Sequence, residues 1–278
     1  MLRWLLNSEL RTPKLPSLAK STPLPYDSPV SSSIELRAVS VTLPDGRKLI
    51  DDVSLAIDAG ESVSLIGRSG AGKTTMLRLL NGLASASAGE IRIDDSSLAD
   101  SDLVALRRKI GYIVQGVGLF PHRTVYDNVA TVPRLLEWDE PRIEPAVREA
   151  LDRVSLPNDD YASRFPHTLS GGEQQRVGIA RALVFEPDIL LCDEPFGALD
   201  PIVRREQQEL YLSSRKERPA TTVFVTHDLS EALLVAERIV LVDAGRIVAD
   251  APSKEFTSLD IPLVRAFVDA ARLPAVDS

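Results

Sequence analysis

The chain has 278 residues, of which 44% are hydrophobic and 26% charged, with a net charge of -8. This is an ordinary globular composition, sized for one large domain or one domain with an insertion, and its acidic balance argues against a broad nucleic-acid surface, which needs a basic stripe. The single cysteine, Cys192, excludes an internal disulfide and, inside an apolar run, reads as a small buried core residue.

At the N-terminus, Leu2-Arg3-Trp4-Leu5-Leu6 is apolar, but Asn7, Ser8, Glu9 and Arg11 end the run too soon for a signal peptide. Residues 1 to 33 then set Pro13, Pro16, Pro23, Pro25 and Pro29 among serines and threonines, a tail composition that cannot bury a core. From Ile34 the texture changes. A first strand is expected over Ile34 to Val41, a turn at Asp45-Gly46 and a second strand over Leu49 to Ile57. Ser62-Val63-Ser64-Leu65-Ile66 reads as a buried strand that feeds a glycine-rich loop, and Met76-Leu77-Leu79-Leu80 continues as a helix toward Gly82. Ile110 to Val114, Ile189 to Cys192, Thr222 to Val225 and Ile239 to Val242 are further β-rich runs, with helical patterns between several of them. That alternation predicts an α/β fold with a mainly parallel central sheet. Between Thr124 and Leu169 the alternation stops: Val125 to Leu136 and Glu144 to Val154 carry the helix period with no strand between, as an inserted helical subdomain would. The chain from Asp250 onward is short, with one helix expected over Ile261 to Arg272. No run approaches the roughly 18 apolar residues needed to span a bilayer, so a cytosolic protein is expected, recruited to any membrane by a partner.

Two motifs carry chemistry. Gly67-Arg68-Ser69-Gly70-Ala71-Gly72-Lys73-Thr74, with Thr75 behind it, fits G-x-x-x-x-G-K-[ST] between a strand and a helix, the context in which that pattern binds nucleotide phosphates. Its glycines let the backbone approach an anion and aim N–H groups at it, and the following helix adds its positive N-terminus. Lys73 is placed to reach the β- and γ-phosphates, and Thr74 to ligate Mg2+ through its hydroxyl. In Asp188-Ile189-Leu190-Leu191-Cys192-Asp193-Glu194, an apolar strand ends in acids at the edge where open α/β sheets bind ligands. Asp193 is the expected Mg2+-side carboxylate and Glu194 the candidate general base for an attacking water. A third stretch, Leu169-Ser170-Gly171-Gly172-Glu173-Gln174-Gln175-Arg176, opens another helix: Ser170 can cap it, and Gly171 and Gly172 leave N–H groups open to an anion.

That octet resembles the signature of the ATP-binding cassette (ABC) ATPases, and the motifs over residues 34 to 250 stand in that family's order. The resemblance implies a P-loop NTPase: a RecA-like core with a mainly parallel sheet over 34–115 and 175–250, an antiparallel β subdomain, and an α-helical subdomain over about 116–174. Residues 251–278 are then a short helical extension. It further implies roles for single residues. Gln115 matches the glutamine that senses Mg2+ and γ-phosphate and relays to a transmembrane partner; His227 matches the switch histidine that bonds the γ-phosphate; Asp200 lies in the loop that crosses the dimer interface. His122 and His167 are expected to be ordinary core histidines. In the family, Ser170, Gly171 and Gly172 of one copy clamp the ATP held by Lys73 of the other, so a head-to-tail homodimer is implied. Leu43 stands where the family usually stacks adenine on an aromatic ring; leucine offers no π-face, so weaker base discrimination is expected.

Among functional classes, a DNA-repair ATPase of this superfamily would need a long coiled coil where residues 124–169 are too short, a translation-type protein would carry two cassettes, and a kinase would lack the signature. The motor subunit of an importer fits best, with ATP and Mg2+ as ligands, permease subunits as partners, an extracytoplasmic binding protein acting indirectly, and no nucleic acid. Gln115-Gly116-Val117-Gly118-Leu119-Phe120-Pro121-His122 and the Val132-Pro133-Arg134-Leu135-Leu136 stretch resemble the quaternary-amine (glycine betaine, choline, carnitine) uptake ATPases; an amino-acid or methionine importer is the alternative. Phe120 and Tyr126 are candidate contacts for the permease. The chain ends without room for the regulatory repeats that many members of that group carry, so gating of that kind is not expected.

Overall fold

The computed structural model describes residues 32–116 and 118–271. The tail expected over 1–33 lies outside these except for its last two residues, which are tied down: Thr221 Oγ1 donates to Ser32 O, and Ser33 N–H donates to Asp94 Oδ1.

In chain order, the first half holds β1 (Ile34–Thr42), β2 (Lys48–Ile57), β3 (Ser62–Ile66), α1 (Lys73–Leu80), β4 (Ala88–Ile93), β5 (Ser96–Ser97), α2 (Leu103–Arg107) and β6 (Ile110–Ile113). Helices α3 (Val125–Val129), α4 (Thr131–Leu135), α5 (Glu140–Arg153), α6 (Asn158–Tyr161) and α7 (Gly171–Leu183) follow without an intervening strand. The chain then runs β7 (Ile189–Asp193), α8 (Pro201–Glu217), β8 (Thr221–Thr226), α9 (Leu229–Val235), β9 (Arg238–Asp243), β10 (Arg246–Pro252), α10 (Ser253–Phe256) and α11 (Pro262–Ala271).

The central sheet has the order β10-β9-β3-β8-β7-β6, parallel throughout except for the antiparallel β9–β10 pair. Every residue of β3, β7 and β8 is buried, which is why these strands read as unbroken apolar runs rather than as an alternation. A second, antiparallel sheet has the order β2-β1-β4-β5. Here sidedness returns: Ile34, Leu36, Val39 and Val41 of β1 face the core while their neighbours are more exposed.

Two element boundaries differ from the sequence reading. The expected joint between helical subdomain and core, at 174–175, falls inside α7. That helix serves both sides: its Val177 and Ile179 share one apolar cluster with Val129, Ile143, Val147 and Leu151 of the helical segment and with Leu190, Cys192 and Phe224 of the sheet. The expected end of the core, at 250, falls inside β10. Beyond it, Ala251, Phe256 and Val264 pack with Leu229, Ala232 and Leu241, so residues 251–271 close the core rather than trail from it. Cys192 is buried as expected, whereas His122 and His167 lie on the surface, each against a neighbouring phenylalanine ring.

Register places the site. Parallel pairing sets Ile66 opposite Thr226, Cys192 opposite both Phe224 and Ile113, and Asp193 opposite Val225. The C-terminal ends of β3, β6, β7 and β8 therefore finish side by side, and the loops that follow them converge at one edge of the sheet.

Candidate active site

The loop from Gly67 to Gly72 is wedged between three backbone segments, and its glycines follow from that. A Cβ at Gly67 would lie 2.1 Å from Val242 O, and one at Gly72 would lie 2.8 Å from Leu49 O in a residue already at φ +107°. No other residue type fits these two places. Gly245, in the β9–β10 turn, donates its N–H to Ala71 O at 3.0 Å and accepts from Asp51 N–H, which braces the loop from the far side. Lys73 opens α1, 7% exposed, and its ammonium donates to Gly67 O at 2.7 Å and Arg68 O at 2.9 Å. Burial lowers its pKa, and the charges of Glu194 and Asp193 oppose that.

The acids stand opposite. Asp193, at the end of β7, is 2% exposed and accepts a hydrogen bond from Thr74 Oγ1 at 3.1 Å. Burial pushes its carboxyl pKa up, and the Thr74 bond acts against that shift. Glu194 turns away from the strand at φ +49°, held by its N–H on Val225 O at 2.9 Å. Its carboxylate is the meeting point of three loops: Gln115 Nε2 donates to Oε2 at 3.3 Å, and His227 Nδ1 lies 3.2 Å from Oε1. A positive-φ residue of this type is strained, and here the strain aims a carboxylate at the phosphate loop.

Together these groups line one open cavity of about 450 Å³, walled by Ser69 to Thr75, Gln115, Glu194, Val225, His227 and Leu49. Its composition suits a polyanion: backbone N–H groups and a helix start at one end, a lysine beside them, and a carboxylate flanked by an amide and an imidazole. The sequence profile of the family described as ABC transporter matches residues 50–197, slightly more than half of the chain. The chain belongs to the ABC transporter family.

The cassette is 48% identical over 215 residues to the choline transport ATP-binding protein OpuBA of Bacillus subtilis (strain 168), a match covering 77% of this chain and 56% of that one. It is 46% identical, with the same shares covered, to the glycine betaine/carnitine/choline transport ATP-binding protein OpuCA of the same organism. It thus spans little more than half the length of these relatives. Among solved structures, the dimeric post-hydrolysis state of the ATP-binding cassette MJ0796 bound to ADP and Pi is 34% identical, with a TM-score of 0.74, covering 79% of this chain and 98% of that one. The fold is that of the P-loop ATPase cassettes.

Not every expected site residue enters the cavity. Arg68 is exposed and contributes its carbonyl to Lys73. Leu43 sits in the β1–β2 turn, its N–H on Arg47 O at 2.9 Å, and the hairpin residue on the cavity wall is Leu49 at the start of β2. Ser170, Gly171, Gly172 and Asp200 also lie outside the wall. Ser170 caps α7 through a capping box, accepting from Glu173 N–H at 3.2 Å while Glu173 Oε2 accepts from Ser170 N–H at 2.7 Å. Gly171 is exposed, and a Cβ there would touch nothing within 4 Å. Asp200 caps α8 by accepting from the N–H groups of Ile202 and Val203. The two caps are neighbours, since Gly172 lies against Leu199 and Ala198, and Gln175 Nε2 donates to Pro195 O at 2.8 Å.

Proposed function

We propose that this cassette is the ATP-hydrolysing subunit of an importer, working as a head-to-tail pair of copies under permease subunits at the inner face of the membrane. The observation that carries the reading is the position of Glu194, held between Gln115 and His227 and facing the phosphate loop. ATP docks its phosphates on the N–H groups of residues 67–75 and on the start of α1. Lys73 exchanges its two loop carbonyls for phosphate oxygens. Thr74 Oγ1 and the Asp193 carboxylate, 3.1 Å apart, form a pair of hard oxygen donors that suits Mg2+. Among the described residues no cluster of three acidic, histidine or cysteine side chains occurs, and Thr74 and Asp193 are the side chains that would hold the ion. When bound, Mg2+ offsets the charge that develops on the phosphate oxygens. Glu194 polarises the attacking water, with Gln115 and His227 fixing its carboxylate and meeting the γ-phosphate. Ser170, Gly171 and Gly172 lie outside the cavity of their own chain and present a capped helix start with free surface, which suits closure over the nucleotide of a second copy.

No described helix is long and apolar enough to cross a membrane. Phe120, 40% exposed in the segment after Gln115, and Tyr126, partly buried on α3, are the aromatic residues offered to a permease segment. The solute proposed is a quaternary amine such as glycine betaine or choline, on the strength of the two relatives and the stretch from Gln115 to Val125.

The test is Glu194→Gln. It should bind MgATP with near-normal affinity, lose roughly 100-fold or more in turnover, and accumulate as an ATP-dependent dimer in gel filtration. A variant that stays monomeric at saturating ATP would sink the paired arrangement. Uptake of labelled glycine betaine, with sulfate and amino acids as controls, by vesicles holding the chain and its co-purifying permease tests the solute.

A further inference from the structure

Behind the cavity, a line of buried polar side chains that the phosphate site does not use joins the turn of His227 to the turn of Asp200. Glu231 on α9 is 8% exposed, and Gln208 on α8, 6% exposed, donates its Nε2 to Glu231 Oε1 at 3.4 Å. The hydroxyl of Thr226, the residue before His227, favours the ionised form of the Glu231 carboxylate. That same Thr226 oxygen accepts from Asp228 N–H at 3.1 Å, and Asp228 caps α9. The turn bearing His227 is thus closed by a bond between its two flanking residues, and Glu231 N–H donates to Asp228 Oδ1 at 3.2 Å. One turn before Gln208, Arg204 donates its Nη2 to Leu199 O at 3.0 Å, immediately ahead of Asp200. Its Nε is buried with no partner, and its charge acts on Glu231.

A buried carboxylate held by one long hydrogen bond is a poor stabiliser; an apolar side chain of similar size would serve the fold as well or better. Burial raises its pKa, while Thr226, Gln208 and Arg204 favour the ionised form. What the carboxylate does supply is direction, because it fixes one turn against one helix. We propose that Glu231 is a positioning residue for His227: its contact with Gln208 ties the start of α9, which follows the His227 turn, to α8, the helix whose Arg204 holds the Leu199–Asp200 turn, so that a second copy engaging Asp200 changes the placement of His227. The proposal rests on the ATPase reading above.

Steady-state and single-turnover ATP hydrolysis by the full chain test it, using Glu231→Ala, Glu231→Gln, Gln208→Ala and His227→Ala, with each of the first three also built on His227→Ala. Glu231→Ala should lower kcat about tenfold with KM for MgATP changed less than about twofold. Glu231→Gln, which keeps one oxygen to accept from Gln208 Nε2, should stay within about threefold of the parent. Gln208→Ala, which cuts only the α8 arm, should lower kcat about fivefold, and it carries the test if Glu231→Ala does not fold. On the His227→Ala background each loss should shrink to less than about twofold, because a residue acting through His227 has nothing left to position. Losses that multiply with His227→Ala, or kcat and KM moving together without rescue by glutamine, would overturn the proposal and leave Glu231 a packing residue. An unsubstituted chain that hydrolyses no ATP would overturn the ATPase reading itself, whereas an active parent with multiplying losses overturns only the link.

Discussion

Asp193 shows what a single residue in this site gives up for its role. Its pKa is raised by burial, so its contribution to folding is present below the ordinary carboxylate pKa and is lost as pH rises through the higher folded value. At neutral pH, the ionised Asp193 therefore weighs against the nucleotide-free fold. Asp193→Asn should stabilise the nucleotide-free chain by about 1 kcal/mol at pH 7.5, with the gain fading toward pH 4, and should abolish Mg2+-dependent hydrolysis. Thermal melts at the two pH values, beside an ATPase assay, check both halves; an asparagine variant equally active and no more stable would contradict them. The residues of this site differ in how far they could be read from sequence. Lys73, Thr74, Asp193 and Glu194 sit in contiguous motifs, and the fold brings them together: Lys73, Thr74 and Glu194 line the cavity, and Asp193 accepts from Thr74. Leu49 could not be read that way, because its place on the wall depends on how the β1–β2 hairpin lies over the loop. Gln208 and Glu231 look like the polar side of two helices, and only tertiary packing makes them interior.

At the scale of elements, the two sheets are clamped by one arginine. Arg238 at the start of β9 meets both oxygens of Asp250 on β10, at 2.5 and 2.6 Å, and donates from Nη1 to Ala56 O on β2 at 2.9 Å, with Glu61 alongside. The paired fork on Asp250 is the strong geometry for such a contact, and Asp250 holds the guanidinium's pKa above its ordinary value. Arg238→Ala should destabilise the chain by about 2 kcal/mol, read as a shift in the urea midpoint with an unchanged slope. An unshifted midpoint would mean that the clamp is solvated and weak. Elements of this kind were the hardest to read in advance. The buried strands announced themselves as apolar runs, but β4 presents only Ile91 and Ile93 behind Gly89, and β10 buries Ala249 and Ala251, with Ile247 half-buried, and ends at Pro252. Such strands are held by their partners rather than by their own composition.

At the scale of the molecule, the fold does not end where its motifs do. Phe256 and Val264 are fully buried, against Leu229, Ala232 and Leu241 on the face of α9 and the sheet. Two such side chains bury enough apolar surface to contribute roughly 3 kcal/mol or more. A chain cut after Asp250 should therefore melt well below the full chain, or aggregate on expression, although every nucleotide-binding motif is intact. Equal melting temperatures for the two would show that residues 251–271 are dispensable to the core. The α/β alternation and the helical insertion were legible because period and order survive in one dimension. The double allegiance of α7 was not, because its Val177 and Ile179 serve two neighbours with the same apolar face.

The start of α7 is already complete within one chain: Ser170 and Glu173 satisfy each other, and Tyr161 Oη donates to Glu173 Oε1 at 2.7 Å from the end of α6. The ordering of that turn is thus accomplished during folding, and each backbone residue so fixed spares a later encounter about 1–2 kcal/mol of conformational entropy. Two copies would then meet as preformed surfaces, and their association rate would depend on mutual orientation and nucleotide occupancy rather than on a loop finding its shape.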